Sequence, residues 1–313
     1  MPGGGLLDIR KRIKSVKNTR QVTKAMEAVA ASKMRKAVDR AQSAKEYVRL
    51  ATEMISNIGT ATKAQMHRFV QKKEGKKLLL LLVTSDRGLC GSYNANVIKV
   101  ALAKMEEKGQ ENIDVVCMGK KGQQAMRRIS KEFTASFSPI DKPDSQNTLE
   151  ISQYLTDTYL KGDYHKAYIA FTDFQSTMKQ EAVVKQILPI SEDIEEVAGP
   201  EENAVGKAQN QAASGSGPGS GSAYVAETEY LFEPTDKAIL EKMIPRLIEI
   251  QVYQTILESL ASEHLSRMMA MRNATDSASD MIDELTLTYN QARQSAITQE
   301  IAEISAGKAA LAQ

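Results

Sequence analysis

Apolar residues recur at steps of three and four along the first 58 residues of the chain. They occupy Leu6, Ile9, Ile13, Val16, Val22, Met26, Val29, Met34, Val48, Met54, Ile55 and Ile58. Neither Gly nor Pro interrupts this pattern before Gly59. A period of 3.6 is typical of an amphipathic helix, so we predict one continuous helix, roughly 80 Å long at about 1.5 Å per residue. A helix of that length exceeds a compact domain, and we expect it to pack against another long element.

A second helical pattern runs from about Thr235 to Ile304 and would span roughly 105 Å. Its one proline, Pro245, is expected to bend the helix or to shift its effective start. Ile244 to Leu260 is apolar nearly all round, which favours burial beside a domain. Beyond Asn273 the apolar positions thin to a narrow stripe, which we expect to contact a single partner helix. That stripe comprises Met281, Ile282, Leu285, Leu287, Ile297, Ile301 and Ile304.

The segment between these helices has a different pattern. The short apolar run Leu78 to Val83 ends at a glycine turn, as a buried parallel strand does. Further predicted strands are "IDVVCMG", "KAYIAFTDF" and "EAVVKQILPI", and the predicted helices are 94–107, 121–130 and 149–160. Strands that alternate with helices at this spacing indicate an α/β layer with a mostly parallel, Rossmann-like sheet.

Three domains follow from these patterns. We expect an N-terminal coiled-coil helix at 1–60, an α/β domain at 76–233 and a C-terminal coiled-coil helix at 235–313. Residues 199–227 are rich in Gly, Ser, Ala and Gln, which predicts a flexible surface loop within the α/β domain. Overall composition, 42% hydrophobic and 26% charged, is ordinary for a chain that buries a core.

Charge is distributed unevenly between the two ends of the chain. Met1 to Arg40 carries 11 Lys/Arg against 3 Asp/Glu, whereas Asn273 to Gln313 carries 2 against 6. Their mutual attraction favours an antiparallel coiled coil of the terminal helices, with the longer C-terminal helix projecting beyond its partner. The basic stretch Ile9 to Ala37 has three readings that the residues leave open: a surface for an acidic protein, a solvated face or a nucleic-acid contact.

Sequence motifs for catalysis, cofactor binding or metal binding are missing. "SDRGLCG" at Ser85 to Gly91 follows a strand, where α/β ligand sites often lie, but it lacks the glycine spacing of a nucleotide site. We therefore interpret it as a structural turn. Cys90 and Cys117 have no metal-ligand spacing and read as buried free thiols. His67, His165 and His264 are far apart in the sequence, and we assign them surface or packing roles.

Four segments together resemble the gamma subunits of F-type ATP synthases. They are "IRKRIKSVKNTRQVTKAMEAVAASKMRKA" from Ile9, "TSDRGLCGSYNANV" from Thr84, "YLFEP" from Tyr230 and the 44 residues from Ala261 to Ile304. The resemblance covers both helices and part of the central domain, and the last segment is long and specific. It implies a non-catalytic central-stalk rotor that has no cofactor.

The resemblance also implies partners and a location. The coiled coil would stand inside a ring of alpha and beta subunits, and the α/β domain would rest on the c ring beside epsilon. The subunit would carry rotation, driven by protons or sodium ions, to the catalytic ring. It would bind neither nucleic acid nor a small-molecule substrate. Because no transit peptide is evident, we expect a bacterial protein, peripheral on the cytoplasmic face of the inner membrane.

Candidate site residues follow from the resemblance alone. Contacts with the alpha/beta ring are expected at Lys24, Met26, Arg267, Gln294, Thr298, Gln299 and Glu303. Contacts with the c ring or epsilon are expected at Tyr230 and Glu233. An ordinary exposed helical face is the alternative for the first group. A strand end and a helix start of structural importance are the alternative for the second.

Overall fold

The computed structural model describes residues 3–61, 68–71, 73, 75, 77–138, 145–162, 164–190 and 236–311. The Gly/Ser-rich segment 199–227 and the candidate residues Tyr230 and Glu233 lie outside the described residues. The helices are α1 (Gly3–Ala61), α2 (Tyr93–Lys108), α3 (Lys120–Arg128), α4 (Ser145–Lys161) and α5 (Asp236–Leu311). The strands are β1 (Lys77–Val83), β2 (Ile113–Met118), β3 (Phe133–Phe137), β4 (Tyr164–Phe174) and β5 (Gln180–Leu188).

The strands form one sheet in the order β3-β2-β1-β4-β5. β1 is parallel to both of its neighbours, β2 and β4, and β3 is parallel to β2. Only β5 is antiparallel, and it pairs with β4. The mostly parallel sheet predicted from the sequence is therefore confirmed. β3 is an edge strand of partly exposed residues, and the apolar pattern did not indicate it.

Helices cover both faces of this sheet, which explains why β1 is apolar at successive positions. Side chains alternate between the two faces of a strand. Leu79 and Leu81 contribute to a core with residues of α4 and α5, whereas Leu80 and Leu82 contribute to a second core with residues of α2 and α3. All four side chains are almost fully buried. A strand buried on both faces has no polar face to present, and its sequence is a continuous apolar run.

The described residues divide into two compact units. A helical unit draws on 1–35, 88–92 and 263–313, and a sheet unit draws on 36–87 and 93–262. The long helices α1 and α5 each contribute to both units. α5 is a single α-helix that contains Pro245 in its third turn. None of the helices in the described part of the chain carries the apolar run that crossing a bilayer requires.

α1 and α5 pair with each other in both units. In the helical unit, Thr275 Oγ1 lies 2.8 Å from Thr23 Oγ1. In the sheet unit, Ala41 and Ala44 pack in one cluster with Leu257. The contacts advance along α1 while they go back along α5, so the two helices run antiparallel. This confirms the coiled coil of the terminal helices that the sequence predicted.

Candidate functional site

The contact seam of α1 consists mainly of small residues. Its buried positions are Thr23, Ala30, Ala37, Ala41, Ala44 and Val48. Four of them recur every seven residues, and the other two fall four residues after a member of that series. This is the heptad repeat of a coiled coil, and a strict seven-residue period imposes a left-handed supercoil. Alanine and threonine at these positions allow the partner backbone to approach closely.

The seam of α5 follows the same repeat. Met271, Ala278 and Ile282 are buried, and Thr275 and Leu285 are half-buried between and beyond them. Their spacings alternate between four and three residues. When two antiparallel helices pair through such stripes, only a narrow face of each helix is buried. The rest of the surface of each helix is available for other contacts.

Several bulky apolar residues that the sequence assigned to helix pairing are instead exposed. On α1, Val22 is 59% exposed and Val29 is 57% exposed. On α5 the exposed members are Met281, Leu287, Ile297, Ile301 and Ile304. The predicted stripe of α5 is therefore wrong except at Ile282 and Leu285. The prediction considered only large apolar side chains, whereas the seam consists mainly of alanines and threonines at heptad spacing.

A hydrogen bond between two threonines joins the helices within this seam. Thr275 Oγ1 lies 2.8 Å from Thr23 Oγ1 and also 2.8 Å from the carbonyl oxygen of Met271. Thr23 Oγ1 lies 3.0 Å from the carbonyl oxygen of Arg20. The Thr275 hydroxyl donates to Thr23 across the seam, and the Thr23 hydroxyl donates to the carbonyl oxygen of Arg20 on its own helix, so both hydroxyls are satisfied. A buried polar pair of this kind aligns two helices specifically.

Six of the seven candidate ring contacts lie on the outside of the helices. Lys24 is exposed and Met26 is half-buried on α1, directly beside the seam. On α5 the exposed candidates are Gln294, Thr298, Gln299 and Glu303. The Thr298 hydroxyl donates to the carbonyl oxygen of Gln294, and Gln299 Nε2 donates to Glu303 Oε1 at 2.9 Å. These polar groups are engaged along their own helix, so they present an orderly polar surface.

Arg267, the seventh candidate, lies in a different environment. Its side chain is 12% exposed, and its Nη1 lies 2.7 Å from Glu263 Oε1, whose side chain is 10% exposed. Nη1 is also 3.3 Å from His264 Nδ1, and Nη2 is 3.5 Å from the carbonyl oxygen of Gly88. Arg267 thus contacts the chain's own loop at 88–92, in addition to any surface it presents outward.

The turn after β1 is occupied by the chain's own side chains. Asp86 Oδ1 accepts a hydrogen bond from the backbone nitrogen of Lys120 at the start of α3, at 2.9 Å. Thr84 Oγ1 donates to the carbonyl oxygen of Met118 and accepts from the backbone nitrogen of Gly122. A carboxylate therefore already takes the place that an anionic ligand would take at this helix start. The structural interpretation of "SDRGLCG" agrees with this geometry.

Cys117 and Glu258 both have pKa values that are raised by burial. Burial raises the pKa of the Cys117 thiol to about 12, which keeps it protonated and unreactive. Burial is also the main cause that raises the pKa of Glu258 to about 7, with a smaller contribution from Asp173. Gln254, Lys185 and Lys45 act in the opposite direction. Cys90 and Cys117 are both buried, as predicted. Among the described residues, no cluster of His, Cys, Asp and Glu could hold a metal ion.

Comparison with known proteins covers nearly the whole chain. The family described as ATP synthase matches residues 5–311. The ATP synthase gamma chain of Coxiella burnetii (strain CbuG_Q212) is 39% identical over 309 residues, which are 97% of this chain and 98% of that protein. The chain belongs to the ATP synthase gamma chain family. The gamma chain of Dechloromonas aromatica, 37% identical over 99% of this chain and its own full length, is a further relative. This gamma chain is therefore a central-stalk subunit of a multisubunit ATP synthase.

Solved structures share the fold of this gamma chain. A chain from the Euglena gracilis mitochondrial ATP synthase (OSCP/F1/c-ring, rotational state 3) aligns with a TM-score of 0.65 at 17% identity. The alignment covers 99% of this chain and 95% of that chain. A chain from the rotor of the same enzyme in rotational state 1 aligns with a TM-score of 0.61 at 18% identity, over 94% and 99% of the two chains. At these identities the likeness establishes the common architecture of long helices and a mostly parallel sheet.

Proposed function

We propose that this gamma chain transmits the rotation of a membrane ring of c subunits to a catalytic ring of alpha and beta subunits. In doing so it couples the flow of protons or sodium ions to the synthesis or hydrolysis of ATP. Epsilon is a further partner, and the complex lies on the cytoplasmic face of the bacterial inner membrane. The observation that carries this proposal is the paired heptad seam of α1 and α5 in a chain that matches gamma chains over its full length.

A rotor must be stiff along its axis. The helical hydrogen bonds of the 59-residue α1 and of the 76-residue α5, in which Pro245 lacks a donor, supply part of that stiffness. The seam supplies another part, because two helices that pair closely resist bending better than one. The Thr23–Thr275 hydrogen bond holds the pair in alignment at that level of the seam.

A rotor must also contact its surroundings differently at each angle. A shaft with equal affinity for every state of the catalytic subunits would shift none of them. The side chains of Lys24, Gln294, Thr298, Gln299 and Glu303 are exposed, which supports the proposal that they make such contacts. Within the proposal, these residues, Met26 and Arg267 contact the alpha/beta ring, and Tyr230 and Glu233 contact the c ring or epsilon. The domain division at 1–60, 76–233 and 235–313 is part of the same proposal.

Co-purification tests the assembly directly. An affinity tag on this gamma chain should recover alpha, beta, epsilon and c subunits from gently solubilised membranes of the cells that make it. A matched control carries Ala30→Glu and Ala37→Glu, which place two carboxylates in the seam, and should recover far less alpha and beta. Recovery of the tagged chain alone, under conditions that keep other membrane complexes whole, contradicts the proposal.

Met26→Lys tests the contact surface. It adds a charge beside Lys24 at a position that slides past the ring, so we expect it to impair coupling more than assembly. The measurement is the ratio of ATP-driven ion pumping to ATP hydrolysis in membrane vesicles. Val22→Lys, at an exposed apolar position one turn earlier on α1, is the control and should change the ratio less. A wild-type ratio in Met26→Lys removes Met26 from the proposed surface.

A further inference from the structure

We propose that Glu263 and Arg267 form a clamp that positions the loop Gly88–Ser92 on α5, so that the loop and the helix turn as one body. This inference rests on the proposed rotor function and adds two positioning residues to it. The loop groups with the outer parts of α1 and α5, although the chain before and after it belongs to the sheet unit. Contacts within the helical unit must therefore position these five residues.

The clamp has the geometry of a strong ion pair. The Arg267 guanidinium lies 2.7 Å from the Glu263 carboxylate one helical turn earlier, and both side chains are about nine-tenths buried. Removing one member of this pair takes away the ion-pair partner of the other buried charge. Each residue therefore holds the other in place, and the second guanidinium nitrogen remains directed at the carbonyl oxygen of Gly88.

His264 fixes the orientation of the guanidinium further. Arg267 Nη1 lies 3.3 Å from His264 Nδ1, and arginine can only donate. The Nδ1 atom must accept this hydrogen bond, so the imidazole carries its proton on Nε2 when neutral. His264 is 5% exposed, which limits its freedom to rotate away.

The backbone of the loop requires support of this kind. Leu89 has a φ of 64°, and its side chain is 61% exposed. A left-handed conformation is unfavourable for a residue with a Cβ and persists where the surroundings impose it. The next residue, Cys90, is only 2% exposed. The side chain of Leu89 is thus exposed and that of Cys90 is buried. Gly88, which Arg267 contacts, directly precedes these two residues.

The consequence for a rotor concerns the transfer of torque. The chain passes between the two units at 35/36 in α1 and at 262/263 in α5, and again at the two ends of the loop. Fixing the loop on α5 adds its two ends to the connections that carry torsional load. Without the clamp, the loop is a slack connection and the two long helices carry the load alone.

The two cysteines of the chain provide a selective test. Cys90 lies in the loop, whereas Cys117 lies in β2, is fully buried and has a pKa raised to about 12. In the assembled ATP synthase, we measure the rate at which a maleimide labels each cysteine, by mass spectrometry of the gamma-chain peptides. Arg267→Gln and Glu263→Gln should each accelerate labelling of Cys90 at least about tenfold, since a tenfold rate change corresponds to about 1.4 kcal/mol of local opening.

Matched variants separate positioning from general loosening. Arg272→Gln removes an exposed arginine five residues further along α5 and should leave Cys90 labelling unchanged. Arg267→Lys keeps the charge but loses the fork, so its labelling rate should lie between those of wild type and Arg267→Gln. An unchanged Cys90 rate in Arg267→Gln, or an equal acceleration at Cys117, overturns the clamp. Co-purification of the complex is scored independently, so failure of the clamp and failure of the proposed function remain distinguishable.

Discussion

α5 is one unbroken helix, yet its two halves are built from different residues. In the sheet unit it buries large aliphatic side chains, among them Ile244, Ile248, Val252 and Ile256. In the helical unit its buried positions are fewer, and they include Ala278 together with Met271 and Ile282. Beyond Ala296 each described side chain is exposed. The backbone is helical throughout, but the buried side chains change in type. This change marks where α5 leaves the core of the sheet unit and becomes one helix of the coiled coil.

This difference shows how one helix can serve two mechanical purposes. Large aliphatic side chains interlock with the sheet and α4, and such packing resists any displacement. Small seam residues allow the two paired helices to lie close together, so the pair is slim. The free energy of unfolding should therefore depend on the sheet half of α5 far more than on its outer half.

The largest expected effect comes from a substitution in the half of α5 that packs in the sheet unit, called here the anchored half. Ile248→Ala removes a fully buried side chain from the core that α5 shares with the sheet. It should lower the free energy of unfolding by about 2–5 kcal/mol. Ile301→Ala removes the same atoms from a position that is 59% exposed and should cost less than about 0.5 kcal/mol. Urea unfolding of the full-length chain, followed by circular dichroism, measures both; equal costs contradict the division of α5.

A smaller effect tests the slim seam. Ala30→Leu places three extra carbon atoms where Ala30 is 2% exposed, and overpacking should cost about 1–3 kcal/mol. Ala28→Leu, at an exposed position two residues earlier on α1, is the control and should be nearly neutral. The same urea experiment compares them. A neutral Ala30→Leu would falsify close contact between the helices at this level.

The pH dependence of stability examines the anchored half in another way. The pKa of Glu258 is raised to about 7 in the folded protein, chiefly by burial. Ionisation of Glu258 therefore favours the unfolded chain. The contribution of protonated Glu258 to the free energy of unfolding is fully present below about pH 4.3, and it is lost as the pH rises through 7. Glu258→Gln should increase the free energy of unfolding at pH 8 by about 1–2 kcal/mol and change little at pH 4.

Urea titrations of both proteins at the two pH values measure this difference. Asp173, Lys45, Lys185 and Gln254 surround Glu258, so Lys45→Met is a useful companion: it should make the pH dependence of the wild-type residue steeper by removing a favourable cation. A Glu258→Gln gain that is equal at pH 4 and pH 8 contradicts the assigned titration.

The smallest effect compares two serines on the same face of α5. The Ser259 hydroxyl lies 2.7 Å from the Tyr93 hydroxyl, whereas the buried Ser262 hydroxyl has no hydrogen-bond partner among the described residues. Ser259→Ala should cost about 0.5–1.5 kcal/mol because it removes the hydrogen bond between Ser259 and Tyr93. Ser262→Ala should be neutral or slightly stabilising. Thermal unfolding of the two variants is the measurement, and a reversed order contradicts the hydrogen-bond assignment.

The features that the sequence predicted are those recorded in local patterns. The run Leu78 to Val83 identifies a central strand because burial on both faces leaves no alternation. The scarcity of Gly and Pro predicts that both terminal helices are long, although α1 includes Gly59 and α5 includes Pro245. β3 was not predicted because half-buried and exposed residues alternate along Phe133–Phe137, which contains only two large apolar side chains.

Other features depend on partners that are distant in the sequence. Arg267 has the appearance of a surface arginine, and its burial depends on Glu263 and on a glycine 179 residues earlier. The exposure of Val22 and Val29 was missed for a different reason. Hydrophobicity ranks valine above alanine, whereas close helix pairing favours the smaller residue. A search for small residues that recur every seven positions would find Thr23, Ala30 and Ala37.

The pairing of α1 with α5 at the threonine hydrogen bond is the most direct point to test. Thr23→Cys and Thr275→Cys, combined in one chain, replace two hydroxyls 2.8 Å apart. Mild oxidation of the assembled complex should join them in a disulfide, detected as an altered gel mobility of the gamma chain that a reductant reverses. Thr23→Cys combined with Thr288→Cys, 13 residues further along α5, should remain unjoined. Efficient joining of the first pair alone supports an antiparallel coil in this register, and failure of that pair, or equal joining of both, contradicts it.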